Sequence, residues 1–443
     1  MSKIRNILTG ASLLTLPLAG MAQGGSNSPY SRYGLGTLAD QSQTFNRGMG
    51  GVALGLRDGK SINMKNPASF SAIDSLSFIF DMGLSLQAGH YSAPGASANI
   101  RNTSITNVNA AFRVAKNLGM SFGFVPYSTI GYTFKTNETI GSTDISTLPV
   151  KTQTTYTGSG GLHQLYVGAG WKPFANLSIG ANISYLWGDY AHYVTQSFYE
   201  GSTSSSNFSN QNLSYTADIS TYKLDVGIQY PIRITAQDWL TIGATYGLGH
   251  TMAGDASQLR YTSVGDSTEV VVKDAFELPH SFGGGVSWRH KDKLMVAADY
   301  SLEKWADCKA PTSIGNGDGT TTYTSMKGSY LNRTSIAMGA EYTPAGSDKS
   351  RPYWETIRYR FGINYASPYQ RINNIDGPKE IGASIGFGLP LQTRRMSSRS
   401  VINVSAEWKQ RRASASNMIK ENYFMLNIGV TFNENWFSQW KID

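Results

Sequence analysis

The sequence predicts an all-β fold: a transmembrane antiparallel β-barrel of about fourteen strands, with an N-terminal plug (hatch) segment in its lumen. Three observations carry this. The chain opens on an export signal, yet no later run is apolar and long enough for a membrane helix. Segments of roughly ten residues then alternate apolar with polar or small side chains, the period of a strand with one face to lipid. The connections between those segments alternate short and long.

The leader has the three parts of a cleaved signal peptide. Lys3 and Arg5 supply the positive start, Ile7 to Leu18 the apolar core, and Gly20-Met21-Ala22 the small residues before a cut after Ala22. Residues 1–22 are therefore expected as signal peptide, 23–75 as plug, 76–432 as barrel and 433–443 as a periplasmic tail. A chain that enters a membrane without an apolar helix must close into a barrel, because only closure pairs every strand's backbone groups away from water. This places the protein in the bacterial outer membrane.

Composition agrees. Hydrophobic residues make up 40% of the chain and mean hydropathy is −0.28, too polar for a bundle of membrane helices. With 47 Gly, 25 Tyr and only 15% charged residues, the chain suits strands and tight turns. The net charge of +8 is spread over short turns, with no Lys/Arg-rich run interleaved with aromatics, which argues against nucleic acid. The single Cys308 rules out an intrachain disulfide or a thiolate metal cluster, and it lies too far from the leader to carry a lipid.

The last strand shows the pattern best. Phe424, Leu426, Ile428, Val430 and Phe432 share one face, and Asn427, Gly429 and Thr431 the other. Ile381, Ala383, Ile385, Phe387 and Leu389 likewise oppose Gly382, Ser384, Gly386 and Gly388. The alternation recurs upstream through Ile357–Tyr365, Leu294–Leu302, Leu240–Tyr246, Tyr222–Tyr230 and Leu165–Trp171, and the first strands centre on Phe80, Ala110 and Phe122. Trp171, Trp187, Tyr230, Trp288, Tyr342 and Trp408 sit near strand ends, where an apolar ring with a polar tip suits the membrane interface. Short connections follow Val114, Trp171, Tyr230 and Trp288; long ones follow Leu86, Phe134, Tyr190, Leu248 and Glu303. The stretch from Pro344 to Trp354 departs from this rhythm. A soluble sandwich would alternate too, but would not combine that rhythm with aromatic strand ends.

Before the first strand lies a Gly-rich stretch too short for a core of its own. A barrel of this size is too wide for its inward side chains to fill, so the stretch is expected in the lumen. It contains Tyr30-Ser31-Arg32-Tyr33-Gly34-Leu35-Gly36, then GMGGVALGLRDG from Gly48, then Asn66-Pro67-Ala68. A phosphate-binding loop is excluded, since the glycine spacing is wrong and no Lys-Ser/Thr follows. Asn66-Pro67-Ala68 in this setting resembles the hatch motif of the FadL/TodX family of outer-membrane channels for long-chain fatty acids and hydrocarbons. YSRYGLG looks like that family's Bacteroidota branch. The resemblance implies fourteen strands, a hatch, and passive uptake of a hydrophobic small molecule.

Proline inside the third strand, at Phe124-Val125-Pro126-Tyr127, cannot donate to a ladder and should bulge or kink the wall. The FadL/TodX resemblance implies a lateral exit at such a kink, here Pro126, Tyr127 and Gly131; a closed structural bulge is the alternative. Inward positions carry many charges, and Arg47, Arg57 and Asp58 of the plug are expected to pair with Asp299, Glu341, Arg358 and Arg360 of the barrel. A greasy tunnel needs apolar lining, yet inward apolar residues are few, among them Ile79, Val125, Tyr166 and Met295. No Ser/His/Asp or metal-ligand spacing is visible, so no enzyme and no cofactor is expected.

Two functions remain. One is uptake of a hydrophobic, fatty-acid-like molecule with lateral release through the kinked third strand. The other is a non-transporting FadL-like accessory subunit of a multiprotein outer-membrane secretion or barrel-assembly complex. The polar lumen favours the second. So do the basic periplasmic turns (Arg289, Lys291, Arg394, Arg395) and a tail carrying Trp436 and Trp440, which are expected to meet either partner proteins or outer-membrane lipid.

Overall fold

The computed structural model describes residues 27–140, 150–174, 176–199, 209–263, 265–315, 321–346, 348, 350–391, 400–412, 415 and 418–435. The signal segment, Arg394, Arg395, Trp436 and Trp440 lie outside the described residues.

A closed antiparallel barrel of fourteen strands forms the protein. In chain order these are β1 (Ser77–Ala93), β2 (Ala96–Ala115), and β3, which is broken into Leu118–Pro126 and Ser128–Ile140. Next come β4 (Val150–Trp171), β5 (Ser178–Tyr199), β6 (Gln211–Arg233) and β7 (Asp238–Gly247). β8 (Ser281–His290), β9 (Leu294–Glu303), β10 (Arg333–Tyr342) and β11 (Arg358–Ala366) follow. β12 (Lys379–Pro390), β13 (Val401–Arg412) and β14 (Lys420–Asn435) complete the wall, and β14 pairs with β1 from Ser77↔Asn435 to Ser92↔Lys420. Closure leaves no free first or last edge.

Period-two patterning fixes the register. Along β12, Gly382, Ser384, Gly386 and Gly388 are buried, while Ala383, Ile385 and Phe387 are exposed on the outer face. A slip of one residue would turn every one of these side chains to the wrong face. Trp171, Tyr230, Trp288, Tyr342 and Trp408 all point outward, as an interfacial girdle requires.

Short turns lie on one side, as at Lys116-Asn117, where Asn117 takes the left-handed conformation (φ 67°) that a two-residue hairpin needs. Pro344–Trp354 belongs to the same side; its length is absorbed by a one-turn helix at Tyr353–Thr356, and the Ala345 amide donates to the Glu355 carbonyl at 2.8 Å. On the other side the expectation of a long loop after Leu86 needs correction. β1 and β2 run on as a ladder to Ala93↔Ala96 and turn at Gly95. Polar alternation in 87–107 supports a strand beyond the bilayer as readily as a loop. β4 and β5 (22 residues each) and β6 (23) likewise exceed the roughly 9–11 residues that span a membrane. Residues 248–263, 265–280, 304–315, 321–332 and 367–378 fold over this outer end. Trp305, Phe276, Leu278, Tyr330 and Tyr369 are buried there together with Leu35, and form the largest apolar cluster of the described chain.

Candidate functional site

Residues 28–73 lie against the inner wall, and the motif at Asn66 shows why the sequence has its form there. The Asn66 side chain is fully buried. Its Oδ1 accepts from the Ala68 amide at 3.2 Å, capping the 3-10 helix Pro67–Ala72. Its Nδ2 donates to the Leu54 carbonyl (2.8 Å) and to the Ile228 carbonyl of β6 (3.2 Å). Pro67 supplies the fixed φ of a first helical residue. The wall opposite is glycine: a Cβ on Gly227 would meet Asn66 Oδ1, and one on Gly243 would meet the Leu54 carbonyl oxygen. Inward glycines thus let a backbone approach a strand more closely than any side chain would allow.

The charged positions divide. Arg358 reaches Asp58 at 3.7 Å across the boundary between segment and wall. Asp299 Oδ2 accepts from the amides of Ala53 (2.5 Å) and Leu54 (2.8 Å), so it holds the segment by its backbone. Glu341 pairs instead with Arg360 of the neighbouring strand at 2.7 Å, and Arg360 lies 5.9 Å from the Phe45 ring centroid. Arg47 donates to the carbonyls of Ser42 (3.2 Å) and Asp40 (2.7 Å), within the segment itself. Arg57 donates to Ser71 Oγ (3.0 Å) and, at 3.4 Å, to Gln229 Oε1 and the Ala68 carbonyl. Burial pushes the Arg57 guanidinium down to about 10. Burial alone would raise the Asp58 carboxyl, but Arg358, Arg289 and Lys60 outweigh it and hold the carboxyl below its ordinary value. Asp40 is held well below the usual range against the same cost, by Lys65, Arg47 and Lys409. Arg289 faces inward and donates to the Arg57 carbonyl at 3.3 Å, whereas Lys291 is exposed in its turn.

Pro126 bulges the wall. β3 pairs with β4 in one register through Pro126↔His163 and resumes at Ile130↔Gly160, so three residues of β3 oppose two of β4. Tyr127 leaves the ladder with its amide on the Leu162 carbonyl (2.8 Å) and its carbonyl taken by the Ala39 amide (2.9 Å). Gly161 accommodates the bulge at φ 132°, where a Cβ would meet the Ser128 carbonyl oxygen at 2.5 Å. Sequence reasoning missed Gly160-Gly161 and Gly188. The paired glycines facing a strand proline were the signal available.

Beyond Val108↔Phe124, β2 and β3 share no ladder. The outer part of β2 pairs with β1 alone, and the outer part of β3 pairs with β4 and with the two residues Thr37–Leu38. A second bulge, at Thr106 of β2, faces this break. The N-terminal residues lie across it: Asn27 Nδ2 donates to Asn102 Oδ1 of β2 (2.7 Å), and the Gly131 amide of β3 donates to Ser31 Oγ (3.2 Å).

Two cavities larger than the rest adjoin the segment. One, of about 690 Å³, reaches the break and is lined by Thr103, Ile105, Pro126, Thr129, Asp189 and Arg411 among others. The other, of about 300 Å³, lies below the outer cluster and is lined by Leu54, Lys65, Asp225, Glu303, Arg333 and Glu380 among others. Asp40, Lys409 and Arg411 border both. The lining cations and carboxylates are matched: Arg333 with Glu303 (3.0 Å), Arg411 with Glu380 (2.8 Å), Lys65 with Asp40 (3.3 Å), and Lys223 with Asp225. Among the described residues, no group of three or more His, Cys, Asp or Glu is placed to hold a metal ion.

The family model of BamG matches residues 3–443. The chain belongs to the BamG family. This BamG-family barrel is also similar in fold to solved outer-membrane channels. The Pseudomonas putida toluene transporter TodX is 14% identical, with a TM-score of 0.57 over 90% of this chain and 99% of that one. The Ralstonia pickettii toluene transporter TbuX is 14% identical, with a TM-score of 0.56 over 88% and 97%. A Pseudomonas aeruginosa FadL homologue is 12% identical, with a TM-score of 0.56 over 88% and 98%. No curated protein matches the chain. The expected FadL/TodX likeness is therefore shown at the level of fold, and the barrel is an outer-membrane one.

Proposed function

We propose that this BamG-family barrel is a non-transporting accessory subunit of a multiprotein outer-membrane secretion or barrel-assembly complex. One observation carries the reading: the lumen is packed at its outer mouth by the Trp305 cluster, filled below by residues 28–73, and charged between the two. An apolar solute gains from burial only where water leaves an apolar wall. Transfer past matched ion pairs would strip their hydration without such a gain.

Passive uptake of a hydrophobic small molecule with lateral release is the second reading, as the fold is shared with channels for hydrophobic compounds. The missing ladder beside Pro126, with the larger cavity behind it, favours it.

Purification of tagged protein from its native outer membrane in mild detergent, with mass spectrometry of proteins and lipids, separates the two. The subunit reading expects other envelope proteins in stoichiometric amounts and no enriched apolar ligand. A lone barrel carrying enriched fatty acid or hydrocarbon would overturn it in favour of uptake.

A further inference from the structure

Among the described residues, the periplasmic end of the lumen holds more cation than the wall and segment neutralise. Five basic groups converge there: Arg57 and Lys60 from the segment, Arg289 from β8, and Arg358 and Arg360 from β11. Three carboxylates answer them: Asp58, which Arg358, Arg289 and Lys60 surround, Asp74 beside Gly59, and Glu341, which Arg360 occupies. Arg57 has only neutral acceptors on Ser71, Gln229 and Ala68, and Arg289 has the Arg57 carbonyl and the Met295 sulfur. Exposed Lys291 and Lys293 in the β8–β9 turn extend the positive field, with Asp292 between them. The partly buried Arg57 guanidinium has no carboxylate beside it, and Arg289 shares Asp58 with Arg358 and Lys60, so both carry a desolvation cost that an incoming anion can offset.

These groups face the lumen. Arg289 points inward while its neighbour Trp288 points out to lipid, so the barrel wall stands between the cations and the bilayer headgroups. We infer that this mouth is a docking site for an acidic segment of a periplasmic protein. Carboxylates of the segment would approach from the periplasm and sit among Lys60, Arg289 and Arg57, with Lys291 and Lys293 at the rim. The inference rests on the subunit reading and names the chemistry of one partner.

The test uses the full mature chain in phosphatidylcholine nanodiscs and a fluorescein-labelled hexaglutamate peptide, read by anisotropy. The parent binds the peptide, affinity falls with salt, and hexalysine does not bind. Lys60→Gln with Arg289→Gln weakens binding about tenfold or more, since two charge-assisted contacts are lost. Lys60→Glu alone does the same, and a urea midpoint equal to the parent's shows that this exposed substitution leaves the segment seated. Lys172→Gln, in the turn between β4 and β5, changes nothing. Absence of binding to the parent, equal binding by the Lys60 variants, or an equal loss with Lys172→Gln overturns the proposal. So does binding to phosphatidylglycerol vesicles with the same mutational profile, which would assign the mouth to lipid. Peptide failure with partners still co-purifying would sink this site and leave the subunit reading standing; peptide binding by a barrel that purifies alone would do the reverse.

Discussion

Replacing Asn66 with Ala should unseat the segment while leaving the barrel closed. The side chain makes three hydrogen bonds, one to the Ala68 amide and two donated to the carbonyls of Leu54 and Ile228. Leu54's carbonyl keeps a second donor in Gln229 Nε2 at 3.1 Å, and Ile228 keeps its ladder. The Ala68 amide, in a fully buried residue, is left with nothing. Counting about 1 kcal/mol for each of the two bonds with a surviving alternative and about 1–3 kcal/mol for the stranded amide gives roughly 3–5 kcal/mol. Hydrogen exchange with mass spectrometry on the peptide covering residues 60–75 reads this as protection lowered roughly 150- to 5000-fold. Peptides from β12 to β14 should exchange as in the parent. Asn66→Asp should be at least as damaging, because it removes both donations and sets a carboxylate against the Leu54 carbonyl. A change below about threefold in both variants would refute the view that this side chain holds the segment to the wall.

Four further outcomes are expected. Gly161→Val forces a β-branched side chain into φ 132° against the Ser128 carbonyl, and should cost about 2–4 kcal/mol, read as a lower urea midpoint or a lost heat-modifiable band on gels. Asp58→Asn leaves Arg358, Arg289 and Lys60 facing one another; the pair is about a quarter exposed, so the loss should be about 1 kcal/mol, read in the same urea titration. Asp40 and Asp58 are held below their ordinary values, so the seated segment binds fewer protons than the released one. Its stability should be flat from pH 7 to 5 and fall only below about pH 4, seen as new protease cleavage within residues 40–65 at pH 3. Pro126→Ala should leave partner co-purification unchanged, and toluene entry into liposomes should stay at the level of the parent; a drop in entry would favour the lateral route.

Much of the wall was legible because lipid enforces it. Each strand must show apolar side chains outward, so Phe424 to Phe432 or Ile381 to Leu389 could be read without neighbours. Asn66-Pro67-Ala68 was legible as a motif, and its chemistry follows from residue type: an amide that both accepts and donates, then a proline that starts a turn. Charge pairing was not legible. Arg360 and Arg47 had several partners within chain reach, and only the register of β10 against β11 sets Glu341 beside Arg360. Length of the outer strands was hidden too, since Ser-, Thr- and Asn-rich sequence beyond the bilayer serves a strand or a loop equally; 87–107 turned out to be ladder. The Trp305 cluster draws on loops far apart in sequence, with no period to betray it.

The break between β2 and β3 also has a mechanical meaning. A closed barrel resists sideways stretch like a hoop, and each paired residue shares the load. β4 and β5 are joined over twenty-one residue pairs, β2 and β3 over seven. Tension in the plane of the membrane, from lateral pressure or from a neighbour pulling on the rim, therefore meets the fewest paired residues at this seam, with the eight pairs of β10 and β11 next. The hoop has a built-in tear line, and the N-terminal residues from Asn27 to Leu38 lie along it like a stitch.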